Sequence, residues 1–155
     1  SRTLAEIAVQ TARVARRFGV QPKVAMLSFS NFGTSEELRT DRIEEAISIA
    51  RELDSDLVID GPMQVDTALV PDIQTDYPFM AFDGPANVLI CPNLASANIA
   101  YKLLQRIAGA EMTGPILEGL SKPAHVLQRG DSVRDVVHMA AICAVDAQRH
   151  ARQRL

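Results

Sequence analysis

The 155-residue sequence has no tryptophan, two tyrosines, five phenylalanines and two cysteines. Aromatics at 5% and a formal net charge of −3 at pH 7 provide neither base-stacking platforms nor a basic face, which argues against nucleic-acid binding. Cys91 and Cys143 lie in apolar runs without metal-ligand spacing. They read as buried thiols of a cytoplasmic protein, not as a disulfide framework. No apolar run reaches the ~18 residues of a membrane span, and no signal-peptide pattern opens the chain, so no membrane partner is expected. Glycine is sparse and scattered. With Gly61, Gly84 and Gly114 isolated, there is no dinucleotide fingerprint and no phosphate-binding loop of the Walker type. His125, His138 and His150 are not spaced for a metal, so no metal is expected, and no nucleophile elbow precedes a helix.

What is present is an ordinary globular composition, 47% hydrophobic and 23% charged, in a chain long enough for one domain. Periodicity predicts a helix over Thr3–Phe18, with Leu4, Ala8, Thr11, Ala12 and Ala15 on one stripe and Ile7, Val14 and Phe18 beside it. Gly19 and Pro22 end it. The short apolar run Val24–Phe29 reads as a strand buried on both faces, and Asp56–Asp60 and Asn87–Cys91 read as a second and a third strand. Between them fall a helix over Ser35–Leu53, opened by a Thr34–Glu37 capping box, and a proline-broken excursion from Gly61 to Ala86 with a short helix near Val65–Leu69. Asn93 caps a helix to Ala108, Gly114–Leu117 reads as a fourth strand or extended segment, and Ser132 opens a last helix to Arg149 or beyond. The alternation predicts an α/β fold: three layers, with a mostly parallel sheet and helices on both faces. Residues 1–131 form the α/β subdomain, and residues 132–155 the C-terminal helix and basic tail. Ligands of such folds bind beyond the carboxyl ends of the strands, here Ser28–Gly33, Asp60–Asp66, Pro92–Asn98 and Gly119–Gly130.

Pro92–Lys102, Gly114–Leu117, Lys122–Gly130 and Ser132–Asp135, with Val24–Ser28 and Asp60–Gln64, resemble the phosphate acetyltransferase (phosphotransacetylase) family in order and spacing over essentially the whole chain. The family's domain is about twice this length, so the chain resembles its C-terminal half. Ser30–Gly33, Lys122–Leu127 and Met139–Ile142 are closest to the phosphotransacetylase-like domain fused behind NADP-dependent malic enzymes. That domain is regarded as regulatory, binding acetyl-CoA and lacking transferase activity.

Acetyl transfer between phosphate and CoA needs a base for the thiol, cations for phosphate and donors for the developing oxyanion. The family's usual Ser-Arg-Gly, followed by an Asp, implies a Ser donating to the carbonyl oxygen, an Arg holding the anionic substrate and an Asp orienting the thiol. This chain carries Gln128, Arg129 and Asp135 at those places. The change from Ser to Gln, together with Pro62 and Ala95 where the family has carboxylates, implies a vestigial catalytic set. The resemblance further implies a CoA or acetyl-CoA contact set of Arg129, Lys102, Arg106, Asn93 and Asp135. Each has a plainer reading. Asp135 completes a capping box with Ser132, Arg129 is a solvated loop residue, Lys102 and Arg106 form a basic helix edge, and Asn93 is a cap.

The apolar stripes Leu94–Ala108 and Val133–Val145 exceed what one sheet can cover, which predicts burial against another chain or against the other half of the family's domain. A homodimer or higher oligomer is therefore expected, and the resemblance adds a malic enzyme catalytic domain in the same chain. Three functions compete. One is a regulatory, acetyl-CoA-binding, dimerising domain of a malic enzyme, the second an active phosphate acetyltransferase, and the third a purely structural oligomerisation module.

Overall fold

The computed structural model describes residues 1–33 and 41–152. They divide into two compact units, Ser1–Tyr101 and Lys102–Leu155. The division falls within a helix, whereas the sequence reading sets its boundary between residues 131 and 132.

The first unit is a three-stranded parallel sheet with helices. β1 (Lys23–Leu27) is central, with β2 (Val58–Met63) on one side and β3 (Val88–Ile90) on the other. Val24 pairs with both Ile59 and Val88, and Met26 with Ile90. Side chains alternate across the sheet. Val24, Met26, Ile59, Val88 and Ile90 meet α1 (Arg2–Arg17) and α2 (Asp41–Leu53), while Ala25, Leu27 and Met63 meet Ala68, Phe82 and Ala86 on the opposite face. This double burial explains why β1 reads as a continuous apolar run.

The stripe that α1 buries is Ala5, Ala8, Val9 and Ala12. Small side chains there let the helix pack closely on α2 and the sheet. Ile7 and Phe18, placed beside the inner stripe from the sequence, are exposed, and the Thr11 hydroxyl turns back to donate to the Ile7 carbonyl at 2.7 Å. α2 buries Ile43, Ala46, Ile47 and Ala50 of the inner face that its spacing predicts, whereas Leu53, which the spacing puts on the same face at the helix end, is exposed. Its proposed Thr34–Glu37 capping box lies outside the described residues.

β2 runs further than its apolar pattern suggests, through Gly61 and Pro62 to Met63. Asp60 therefore sits within the strand instead of at its end. Gly61 is required at a close approach: a Cβ there would lie 2.6 Å from the Met26 carbonyl oxygen. The register against β1 shifts between Ala25 and Leu27, next to this contact. The excursion that follows is ordered by α3 (Val65–Leu69), α4 (Pro71–Gln74) and a buried amide. Gln74 Nε2 donates to the Thr67 and Gly84 carbonyls at 3.0 and 3.2 Å. Asn87 ties the starts of two strands, accepting from Lys23 N at 2.8 Å and donating to the Gln21 carbonyl at 2.9 Å.

The chain then enters α5 (Leu94–Ile107) and, in the second unit, α6 (Val133–Arg152). Between them, Gly114–Leu117 has no regular secondary structure, and among the described residues it joins no sheet. The buried residue of α6 is Met139, with Ile142, Cys143, Asp146 and His150 half-buried. Positions 139, 143, 146 and 150 form a stripe at helical spacing. The apolar stripe read from sequence lies elsewhere on the helix and is solvated, with Val133 82% and Val137 59% exposed. His138 is also exposed.

Candidate functional site

The sequence-nominated residues are carried by α5, by the Gln128–Ser132 turn and by the first turn of α6. Asn93 caps α5 in the first unit. Its Oδ1 accepts from Ser96 N at 2.9 Å, and the Ser96 hydroxyl donates to the Asn93 carbonyl at 2.9 Å. Lys102 and Arg106, four residues apart, are exposed on one face of the same helix. Lys102 Nζ approaches Gln128 Oε1 at 3.4 Å, so the fold joins these two nominated residues directly.

Gln128 opens a tight turn. Its backbone N–H donates to Asp131 Oδ2 at 2.6 Å, and Asp131 N returns a bond to the Gln128 carbonyl at 3.1 Å. Gly130 takes φ 95° in this turn, a conformation that side chains rarely adopt. Arg129 lies between them and is exposed. One residue further, Ser132 and Asp135 form the predicted capping box. Asp135 N donates to Ser132 Oγ at 3.2 Å, while Asp135 Oδ2 accepts from Ser132 N at 2.8 Å and from Ser132 Oγ at 2.7 Å. The Ser132 hydroxyl and amide bonds hold the Asp135 carboxyl below the ordinary aspartate range. That carboxylate is engaged by the cap it makes.

Two residues the sequence reading did not nominate complete the geometry. Asp131 holds the Gln128 backbone. His125 bridges the loop to α6, its Nδ1 accepting from Leu117 N at 3.2 Å and its Nε2 facing Asp146 Oδ2 at 3.2 Å. No local pattern marks that pair, because its partners are 21 positions apart.

Elsewhere, a groove of about 440 Å³ lies between α2 and β2, lined by Glu44, Ile47, Ser48, Arg51, Glu52, Asp60 and Gly61. Three carboxylates against one guanidinium make it a poor host for an anionic ligand. Asp60 is committed to the fold, accepting from Gly61 N at 2.9 Å and Ala81 N at 2.7 Å. Both cysteines are free thiols, half-buried instead of fully buried, and burial raises the Cys91 thiol above its ordinary range against a weaker opposing bond from Ser96. Among the described residues, no group of three or more His, Cys, Asp or Glu side chains can hold a metal ion, and no helix is long and apolar enough to cross a membrane.

Compared with known proteins, residues 1–144 match the phosphate acetyl/butaryl transferase family. The chain is 48% identical over 148 residues to an NADP-dependent malic enzyme of Salmonella typhimurium, covering 94% of this chain and 19% of that protein. It is 41% identical over 148 residues to a phosphate acetyltransferase of Bacillus subtilis, covering 95% of this chain and 46% of the relative. A phosphotransacetylase structure from Streptococcus pyogenes superposes with a TM-score of 0.90 at 44% identity, covering 96% of this chain and 45% of that one. Such extensive agreement in sequence and backbone defines the class: the chain belongs to the phosphate acetyl/butaryl transferase family. It spans less than half the length of these acetyltransferases and about a fifth of the malic enzyme.

Proposed function

We propose that this chain is the regulatory, acetyl-CoA-binding and dimerising part of an NADP-dependent malic enzyme, and that it lacks phosphate acetyltransferase activity. One observation carries the second half of this reading. At the position where the family resemblance puts an oxyanion-donating serine stands Gln128, and its side-chain oxygen faces Lys102 at 3.4 Å. An amide on a longer stem, oriented by a cation on α5, does not reproduce a short hydroxyl donor. Loss of one such donor typically costs ~100- to 1,000-fold in rate. Pro62 and Ala95 point the same way, since each replaces a family carboxylate.

Lys102, Arg106 and Arg129 hold the anionic phosphates of CoA or acetyl-CoA, with the planar Arg129 guanidinium suited to paired bonds with a phosphate. Asn93 and Asp135 serve the site through the caps they make. Asp135, an acceptor committed to Ser132, orients α6 and does not touch phosphate. The site needs no metal. A second copy covers the exposed apolar faces of α5 and α6, and the malic enzyme catalytic domain precedes this one in the same polypeptide. Retention of both cysteines as thiols agrees with a cytoplasmic setting.

The test is an assay of the full-length protein for malate oxidation with and without acetyl-CoA, paired with a coupled acetyl phosphate assay. Inhibition of malate oxidation without acetyl transfer is expected. The second reading, an active phosphate acetyltransferase, draws support from the 41% and 44% identities to acetyltransferases and from retention of Arg129 and Asp135. Acetyl transfer above a protein-free control favours it.

A further inference from the structure

We infer that His125 and Asp146 form a neutral-imidazole clamp that positions the Gln128–Gly130 turn for its ligand. The inference rests on the CoA-binding reading for what the turn holds, but not for the clamp itself.

The His125 side chain is 4% exposed and the Asp146 side chain 12% exposed, so the pair is withdrawn from water. The ring has two different neighbours. At Nδ1, 3.2 Å away, is the Leu117 backbone N–H, which is a donor only. Nδ1 must therefore present its lone pair, leaving the proton on Nε2, where Asp146 Oδ2 accepts it at 3.2 Å. Both ring nitrogens are satisfied in one tautomer. The opposite tautomer sets two donors against each other at Leu117 and a lone pair against a carboxylate at Asp146. One side chain thus ties three pieces of chain together: the segment at Leu117, the loop at His125 and the middle of α6 at Asp146.

A second contact lies on the same face of α6. Cys143 Sγ approaches the Pro123 carbonyl at 4.0 Å, three residues before Asp146 on the helix and two before His125 on the loop. The loop is anchored at residues 123 and 125 and again at Gln128 through Asp131. Arg129 follows directly, one residue past an anchored position, which restricts the volume its guanidinium sweeps. His125 is a positioning residue. Its side chain is buried, and it acts through the turn it holds.

The test uses the full-length protein. Nitrogen-15 spectra of the imidazole ring at neutral pH are expected to show a neutral His125 protonated on Nε2. His125→Ala is expected to speed amide exchange at Gln128–Asp131 and to weaken CoA binding, measured by calorimetry with CoA itself, by about tenfold. His125→Gln keeps the donor toward Asp146, and Asp146→Asn keeps an acceptor toward His125. Each is expected to recover part of that loss, whereas Asp146→Ala is not. An Nδ1-protonated or charged ring overturns the clamp. So does wild-type amide exchange and wild-type CoA affinity in His125→Ala. If the wild-type protein does not bind CoA, the CoA reading fails, and the clamp is then judged on the ring spectrum and the amide exchange alone.

Discussion

Asp135 shows how one residue can satisfy a family motif and a structural rule together. Its carboxylate closes the N-terminus of α6 through Ser132, and the same position is where the family resemblance places a thiol-orienting aspartate. The folded carboxyl is depressed below its unfolded value, so its stabilising contribution is complete above the ordinary aspartate pKa. That contribution disappears as pH falls through the lower folded value. Acid titration of helix content is expected to show α6 loosening in that window, and Asp135→Asn is expected to remove this part of the pH dependence. Ser132→Ala is expected to cost about 1 kcal/mol in denaturant melts. At Arg129 the expected consequence is functional. Arg129→Ala weakens acetyl-CoA inhibition of the full-length protein by about 1–3 kcal/mol, with a smaller difference at high salt. An unchanged inhibition constant in Arg129→Ala, Lys102→Ala and Arg106→Ala alike contradicts the assigned phosphate contacts.

At the scale of elements, legibility followed from how each side is buried. The centres of β1 and α2 are readable because both bury what their patterns predict there, an apolar run between two covered faces and Ile43, Ala46, Ile47 and Ala50 at helical spacing, while the predicted end residues Phe29 and Leu53 are exposed. β2 was cut short at Asp60 because Gly61 and Pro62 look like a stop. They continue the strand because Gly61 fits against the Met26 backbone where no larger residue can. Gly61→Ala is expected to destabilise the fold by about 1–3 kcal/mol in thermal or denaturant unfolding, since its Cβ would overlap a carbonyl oxygen. In α6 the apolar pattern does not mark the side that its own unit covers. Alanine and valine surround the helix, so hydropathy favours Val133, Val137 and Ala141, whereas the covered side carries Met139, Cys143, Asp146 and His150. Polar residues on the covered side are invisible to an apolar count, and the partners of Cys143 and Asp146 lie on a distant loop. The capping signals at Asn93 and Ser132 were legible because each uses neighbours three residues away. The His125–Asp146 bridge was not, for lack of any such local spacing.

At the scale of the whole molecule, the exposed apolar side chains of α5 and α6 become the main physical constraint. Leu94 is 84% and Ile107 80% exposed, and Val133 and Val137 add to them on α6. Apolar surface of this kind is favourably removed from water at roughly 25 cal/mol per Å². A symmetric dimer is the expected outcome, because closed two-fold pairs are the commonest homo-oligomers. Ala141→Glu places a charge on the exposed side of α6, where burial of an unpaired charge costs several kcal/mol. It is expected to shift the protein to monomer in sedimentation at micromolar concentration. A wild-type monomer, with no change in the variant, contradicts the dimer. The identities to a malic enzyme and to acetyltransferases are comparable, so kinship alone does not separate a sensor from a catalyst. The separation rests on Gln128, which stands where the family resemblance places a serine and faces Lys102. The most direct measurement is a calorimetric titration of acetyl-CoA into the full-length protein in phosphate buffer without malate. The expected trace is a saturating series of heats, each returning to baseline, as for a ligand that binds and does not react. A sustained heat flow, matched by release of free CoA thiol, or the absence of any binding heat, contradicts the account.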